Sequence, residues 1–192
     1  MRARFDAKGD VIVVTGGANG IGRALARAAA QAGARVVVCD VDAAAMAALS
    51  SVAGISTRHL DVSDRAAVFD VLGGVERDFG KIDCLVCAAA IQPHLPVHAM
   101  EPTAWDRVLR INLDGVVWCY QAVVAGMIAR RSGSIIAFTS GLAHQGWPEG
   151  GAGRLKHERG HATHHRRRRG PGRSYDGAGA ALLRPAVCAV RG

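Results

Sequence analysis

The stretch Thr-Gly-Gly-Ala-Asn-Gly-Ile-Gly, residues 15–22, follows the apolar run of residues 11–14 and precedes an alanine-rich helical pattern. A glycine turn between a buried strand and a helix lets backbone N–H groups approach a pyrophosphate, at the helix end where the macrodipole is positive. Glycine suits this place because it has no Cβ and adopts positive φ angles. The stretch, called the glycine turn below, therefore predicts a dinucleotide-binding site. The alternative is a glycine turn in some other α/β sheet.

Five short runs rich in apolar residues are predicted to be strands, because uninterrupted apolar runs are typical of strands buried on both faces of a parallel sheet. They span residues 11–15, 35–39, 55–60, 82–90 and 133–139. Helical patterns separate them, which predicts right-handed βαβ units. The fold class is therefore α/β with a doubly wound parallel sheet, whose ligand crevice lies outside the carboxyl ends of the strands.

The helix after the glycine turn is predicted to bury Ile21, Leu25 and Ala28, which recur at i, i+4 and i+7, and to end at Gly33. A later helix is predicted to begin after Asp64 and to run through Phe79, where Gly80 closes it.

Asp40 stands at the carboxyl end of the second predicted strand, where a doubly wound sheet binds the adenosine ribose. Its carboxylate can accept both ribose hydroxyls, whereas a 2′-phosphate would meet a like charge. The residue therefore favours NAD over NADP. The alternative is that Asp40 only caps a helix predicted over residues 43–51.

The glycines at positions 16, 20 and 22, behind Thr15, form a GxxxGxG pattern that resembles the short-chain dehydrogenase/reductase family. The resemblance extends over residues 10–147. It implies an oxidoreductase that transfers a hydride between NAD(H) and a small-molecule carbonyl or secondary alcohol. The residues that it assigns to the cofactor are Gly16, Asn19, Gly20, Ile21, Gly22, Asp40, Asp61, Val62, Cys87 and Ala89.

Two of these matches differ in quality. Asp61-Val62 matches the Asp-Val pair that the family uses beside the adenine ring. The fourth strand of the family ends in Asn-Asn-Ala-Gly, whereas this chain has Cys-Ala-Ala-Ala at residues 87–90. The small residues still allow the nicotinamide-side ribose to pack against backbone, but the asparagine hydrogen bonds are lost.

By the same resemblance, Ser140 and Asn112 are the catalytic positions that the chain retains. Ser140 would steady the substrate oxygen. Asn112 would support a water-linked proton relay, or would bond the backbone of a kinked helix, and the two roles are compatible.

The catalytic Tyr and Lys of the family are missing from this sequence. The Tyr is expected near position 153, with a Lys four residues later that lowers the pKa of the phenol. Position 153 is Gly, and no Tyr precedes Lys156 at the required spacing. A catalytically inactive nucleotide-binding fragment is therefore the alternative function.

The positive charge is concentrated in the C-terminal region. Residues 1–147 hold 14 basic and 13 acidic side chains, whereas residues 148–192 hold 10 and 3. Residues 6–147 are thus interpreted as the nucleotide-binding domain, and residues 148–192 as a Gly/His/Arg-rich tail, disordered or read out of frame. A His-rich metal site and a basic nucleic-acid or membrane-surface arm are alternatives; we assign neither a metal nor such a partner.

With the tail outside the family pattern, we expect a sheet truncated after its fifth strand, with one edge and one helix-binding face uncovered and an incomplete family homo-oligomer interface. The first ten residues hold no apolar leader, and no apolar run approaches the length of a membrane span, so the protein is expected to be cytoplasmic. Most of the five cysteines lie in apolar patterns, and Cys84 and Cys87, within the apolar run of residues 82–91, are expected to be buried reduced thiols, with a redox pair as the alternative.

Overall fold

The structure, a computed structural model, describes residues 6–139 and the backbone of residues 184–191. The strands are Val11–Thr15 (β1), Arg35–Asp40 (β2), Ile55–His59 (β3), Cys84–Cys87 (β4), Ser132–Thr139 (β5) and Arg184–Arg191 (β6). The helices are Gly20–Gln31 (α1), Ala43–Ala47 (α2), Arg65–Phe79 (α3), Pro102–Leu109 (α4) and Gly115–Arg130 (α5). A short 3₁₀ turn, Val97–Ala99, precedes α4, and a π-helical turn, Arg110–Asp114, joins α4 to α5.

The strands form one sheet in the order β3-β2-β1-β4-β5-β6, and β1 to β5 are parallel. The predicted α/β fold with a doubly wound parallel sheet is confirmed. The chain reverses its direction of winding between β1 and β4, which is the place where such sheets bind ligands at the carboxyl ends of the strands.

The core consists of two apolar layers, one on each face of the sheet. Alternate residues of β1 serve both: Val11 and Val13 pack with α3 and α5, whereas Ile12 and Val14 pack with α1 and α2. All five residues of β1 are buried, as expected for the central strand of a sheet covered on both faces.

The buried face of α1 differs from the prediction. Gly22, Ala26 and Ala29 are buried, whereas Ile21 is 49% exposed and Ala28 is also exposed. The reason is close packing, because a Cβ added at Gly22 would overlap the carbonyl oxygen of Gly16. A helix this near the sheet buries its smallest residues, and the larger Ile21 remains at the rim.

Helix boundaries follow local capping chemistry. The α3 helix begins after Asp64 and ends at Gly80, which adopts a left-handed conformation with φ of 77°, as predicted. The α2 helix is shorter than the predicted span of residues 43–51 and ends at Ala47.

The C-terminal strand corrects the expectation of an unpaired sheet edge. Residues 148–183 lie outside the described residues, but Arg184–Arg191 forms β6 and pairs antiparallel with all eight residues of β5. The parallel series ends at β5 as expected, but this edge is not left unpaired, since the antiparallel β6 supplies hydrogen-bond partners to β5.

One helical run bears on the expectation that no segment spans a membrane. By length and composition alone, the 29 residues Pro102–Arg130 are long and apolar enough to cross a membrane. In the fold, α5 places Cys119, Val123 and Met127 in the core against the sheet. A core helix passes the same test of length and composition.

Candidate dinucleotide site

Backbone hydrogen bonds hold the glycine turn between β2 and β4, the two strands that neighbour β1. The N–H of Gly16 donates to the carbonyl oxygen of Cys39 over 2.8 Å, and the N–H of Ala88 donates to the carbonyl oxygen of Thr15 over 3.0 Å. A Cβ at Gly16 would overlap the backbone of Ala89. The turn therefore packs directly on the chain that leaves β4.

The N-terminus of α1 is uncapped by side chains in the part of the chain that the structure describes. By contrast, Asp64 accepts two backbone N–H groups at the start of α3, over 2.9 and 3.1 Å. Gly20 begins α1 with φ of 53°, and a Cβ there would meet nothing within 4 Å. The N–H groups of the first turn are thus left for an external acceptor, and an anion is the ligand that suits them.

Asp40 lies opposite the glycine turn at the end of β2. Its Oδ2 accepts the N–H of Ala18 over 2.9 Å, and its Oδ1 accepts the N–H of Asp42 over 3.1 Å. The cap of α2 is Asp42, whose Oδ1 accepts the N–H of Ala45 over 2.9 Å. The alternative role of Asp40 as a helix cap is therefore wrong. Each of its oxygens keeps acceptor capacity for a ribose hydroxyl.

Asp61 and Val62 follow β3 and face different surroundings. The carboxylate of Asp61 is exposed and accepts the N–H of Ser63 over 2.8 Å, which forms a tight turn before α3. The Val62 side chain is buried in the core beside Gly115. Of this pair, Asp61 is therefore the residue whose side chain is exposed at this edge.

Asn112 lies in the π-helical turn and bonds the chain that follows β4. Its Nδ2 donates to the carbonyl oxygen of Ile91 over 2.8 Å, and its Oδ1 accepts the N–H of the same residue over 2.9 Å. The side chain thus holds a neighbouring segment rather than the backbone of its own helix. Ser140, the other predicted catalytic residue, lies outside the described residues.

These groups share the carboxyl edge of the parallel strands, beside the reversal between β1 and β4. The short chain dehydrogenase family model matches residues 10–152 of the chain, a range that includes all of them. The chain belongs to this family.

Curated members of the family resemble the chain over its first three quarters. Galactitol 2-dehydrogenase of Agrobacterium fabrum is 37% identical over 139 residues, which cover 71% of this chain and 54% of that protein. Cis-4-hydroxycyclohexanecarboxylate dehydrogenase of Sinomonas cyclohexanicum is 38% identical over 141 residues, 71% of this chain and 57% of its own length. The chain spans about half the length of the curated relatives it matches.

A solved family structure has the same fold. A metagenomic short-chain oxidoreductase, crystallised in complex with NADP, superimposes with a TM-score of 0.71 at 31% identity. The match covers 76% of this chain and 68% of that protein.

The departure from the short-chain dehydrogenase pattern at residues 87–90 changes what this chain offers a ligand. The side chain of Cys87 is buried in the core and hydrogen-bonded to Cys119, and this bond together with burial raises the pKa of the Cys87 thiol. Of the predicted pair Cys87 and Ala89, Cys87 can therefore meet a cofactor only through its backbone. The partly buried Ala89 lies against Gly16.

The described thiols fit the expectation of reduced cysteines. Cys39, Cys84, Cys87 and Cys119 are all free, and only Cys84 is not fully buried. Burial raises the pKa of Cys39 to about 12 and the pKa of Cys84 to about 11. Neither thiol ionises readily near neutral pH, so the alternative of a Cys84–Cys87 redox pair is not supported.

Sequence reasoning missed two groups at this edge, Asp42 and Ile91. Asp42 carried a signal, because an Asp just before a helical pattern is a typical N-cap. Ile91 carried no such signal, because it makes its contact through backbone groups, which every residue type has.

Proposed function

We propose that this chain binds NAD at the carboxyl edge of its sheet and serves in hydride transfer between NAD(H) and a carbonyl or secondary alcohol. The observation that carries the proposal is the uncapped N-terminus of α1, which lies across the glycine turn from the carboxylate of Asp40. Free N–H groups suit a pyrophosphate, and a carboxylate suits a ribose diol. The bound cofactor would supply the hydride.

Each part of the cofactor has a candidate partner in this arrangement. Gly20, Ile21 and Gly22 would donate backbone N–H groups to the pyrophosphate, with Gly16 and Asn19 shaping the turn. Asp40 would accept the adenosine ribose hydroxyls. The remaining contacts are assigned to Asp61 and Val62 at the adenine, and to Cys87 and Ala89 at the nicotinamide-side ribose.

The preference for NAD over NADP is supported by the charge of Asp40. A 2′-phosphate placed at the end of β2 would meet a carboxylate, whereas ribose hydroxyls would donate to it. The related oxidoreductase with bound NADP shows that the family also takes the phosphorylated cofactor. The proposed choice of NAD by this chain therefore rests on Asp40.

The substrate class is inferred from relatives whose names state dehydrogenation of a polyol or a hydroxy acid. Ser140 and Asn112 would be the catalytic positions, Ser140 steadying the substrate oxygen. We also infer a cytoplasmic protein, since the proposed cofactor and substrates are small soluble molecules.

A second candidate is nucleotide binding without turnover. It is favoured by one observation in the sequence, the absence of any Tyr-x-x-x-Lys, with Gly at position 153. Without a phenol held next to a cation, no group is evident that would exchange the substrate proton near pH 7. On this hypothesis, residues 148–192 are translated from a shifted reading frame. The gene sequence around codon 150 would test this.

Two measurements on the full chain separate these candidates. Calorimetric titration with NAD and NADP tests binding, and absorbance at the NADH band with a panel of secondary alcohols and ketones tests turnover. Binding with turnover supports the oxidoreductase, and binding alone supports the inactive nucleotide-binding protein. A folded protein that binds neither nucleotide would contradict both.

A further inference from the structure

Two consecutive residues of the glycine turn are tied to two carboxylates that follow β2. The backbone N–H of Ala18 donates to Asp40 Oδ2 over 2.9 Å, and Asn19 Nδ2 donates to Asp42 Oδ2 over 3.0 Å. The two oxygens of Asp42 therefore have different partners. Oδ2 accepts from Asn19, and Oδ1 accepts the N–H of Ala45 and caps α2. The space between the glycine turn and the end of β2 is bordered by both carboxylates.

The bond to Asp42 determines which way the Asn19 amide faces. A carboxylate can only accept hydrogen bonds, so the amide must turn its NH₂ group toward Asp42. Its Oδ1 is then the atom that faces away from Asp42. The groups that border this space are therefore hydrogen-bond acceptors and not donors. They are the carboxylate oxygens of Asp40 and Asp42 and the amide oxygen of Asn19.

Such a border discriminates between the adenosine ribose of NAD and the 2′-phosphorylated adenosine ribose of NADP. The 2′- and 3′-hydroxyls of NAD are donors and match acceptors, whereas the 2′-phosphate of NADP is an anion that needs donors or cations. Each carboxylate near that phosphate adds repulsion, and an amide turned the wrong way removes a potential donor.

We propose that Asp42 is a second specificity-determining residue for the adenosine ribose, excluding a 2′-phosphate both by its charge and by orienting the amide of Asn19. The inference rests on the proposed binding of a nicotinamide dinucleotide at this edge. It differs from the role of Asp40, because Asp42 acts in part through another side chain.

The surroundings of Asp42 keep its carboxylate ionised. Its hydrogen bond from the backbone of Ala45, followed by the bond from Asn19, lowers the pKa of this exposed group below its ordinary value of 3.8. The charge is therefore present throughout the pH range of a binding experiment.

The test compares Asp42→Asn with the wild type by titration of the full chain with NAD and with NADP. Asparagine caps a helix about as well as aspartate, so α2 is retained. It lacks the charge, and its own NH₂ can donate to Asn19 Oδ1, which turns Asn19 Nδ2 toward the ribose. We expect the Kd for NADP to fall by about fivefold to tenfold, with less than about a twofold change for NAD.

Asp64→Ala is the matched control. It removes the N-cap of α3 as Asp42→Ala removes that of α2, but the side-chain hydrogen bonds of Asp64 within the described residues go to Ala66 and Ala67 of its own helix. The ratio of the two Kd values should be unchanged in Asp64→Ala and should shift toward NADP in Asp42→Ala.

An unchanged ratio in Asp42→Asn, with tight NAD binding by the wild type, would overturn the role of Asp42 alone. A wild-type protein that binds neither nucleotide would overturn the proposed function, and this inference with it.

Discussion

Asn112 and Ile91 exchange two hydrogen bonds, so that one side chain satisfies both backbone polar groups of another residue. The Nδ2 donates over 2.8 Å and the Oδ1 accepts over 2.9 Å. The bonds join the π-helical turn to the segment that also carries Ala89 against Gly16. Because π-helical turns are rare and often occur at functional sites, we propose that this link holds the chain segment at the proposed nicotinamide end of the site.

Replacing Asn112 tests that link. Asn112→Ala should lower the free energy of unfolding by about 1–2 kcal/mol, since both hydrogen bonds are lost. Asn112→Asp should destabilise at least as much, because its carboxylate would face the carbonyl oxygen of Ile91 instead of donating to it. Urea unfolding measures both variants. A more stable Asn112→Asp would contradict the observed pairing.

Gly20 provides the direct test of the phosphate site. Gly20→Ala places a Cβ at the open N-terminus of α1, where the pyrophosphate is proposed to lie, so NAD affinity should fall by more than about tenfold. The φ of 53° also strains alanine, at a cost of about 1–2 kcal/mol.

Gly80→Ala is the control for that strain. Gly80 has φ of 77° and open space around its Cβ position, but it ends α3 away from the glycine turn. Both variants should lose similar stability in thermal unfolding, and only Gly20→Ala should lose binding. Equal NAD affinity in the two variants would exclude a phosphate next to Gly20.

Much of the sheet is predictable because its central strands must be apolar on both faces. The run over residues 11–15 has no polar alternation, and β1 occupies those residues. The β6 strand escaped prediction because it lies in the tail, which is outside the family pattern and only weakly apolar. Its pairing with β5 is a long-range contact that no local pattern encodes.

Residues of the candidate site could be predicted from the sequence only at positions where the backbone geometry requires a particular residue type. Glycine at position 16 or 20 reports a backbone requirement that a single sequence displays. The buried face of α1 was mispredicted because small residues such as Ala26 leave no strong apolar period, although they permit the closest packing. The amide of Asn19 could not be oriented without knowing that Asp42 lies opposite.

Buried thiols predict a dependence of stability on alkaline pH. The folded-state pKa of Cys39 is about 12 and that of Cys84 about 11, both raised from 9.0 by burial. Above pH 9.0 the unfolded chain releases thiol protons that the folded chain retains, so stability is lost as pH rises toward those values.

Chemical unfolding at pH 8, 9 and 10 measures this loss. The slope of unfolding free energy against pH should be smaller in Cys39→Ala than in the wild type, because one of the linked protons is removed. An identical slope in the wild type and Cys39→Ala would show that Cys39 does not contribute.

Gly126 lies where α5 meets an ion pair that links it to α3. Arg130 Nη1 donates to Glu76 Oε1 over 2.6 Å, and its Nη2 donates to the carbonyl oxygen of Ile82 over 2.9 Å. A Cβ at Gly126 would overlap Glu76 Oε1 and lie 3.0 Å from Arg130 Nη1. Alanine at position 126 therefore requires the carboxylate end of the Glu76 side chain to move from its present position.

Two opposing effects make Gly126→Ala informative. Alanine favours a helix interior over glycine by about 1 kcal/mol. Displacing Glu76 from a partly buried pair costs about the same. We expect no gain in the wild-type background, but a gain of about 0.5–1 kcal/mol in the Glu76→Ala background, where the overlap is gone. Urea unfolding of the four proteins gives the coupling. Equal effects of Gly126→Ala in both backgrounds would show that Glu76 does not limit residue size at this position.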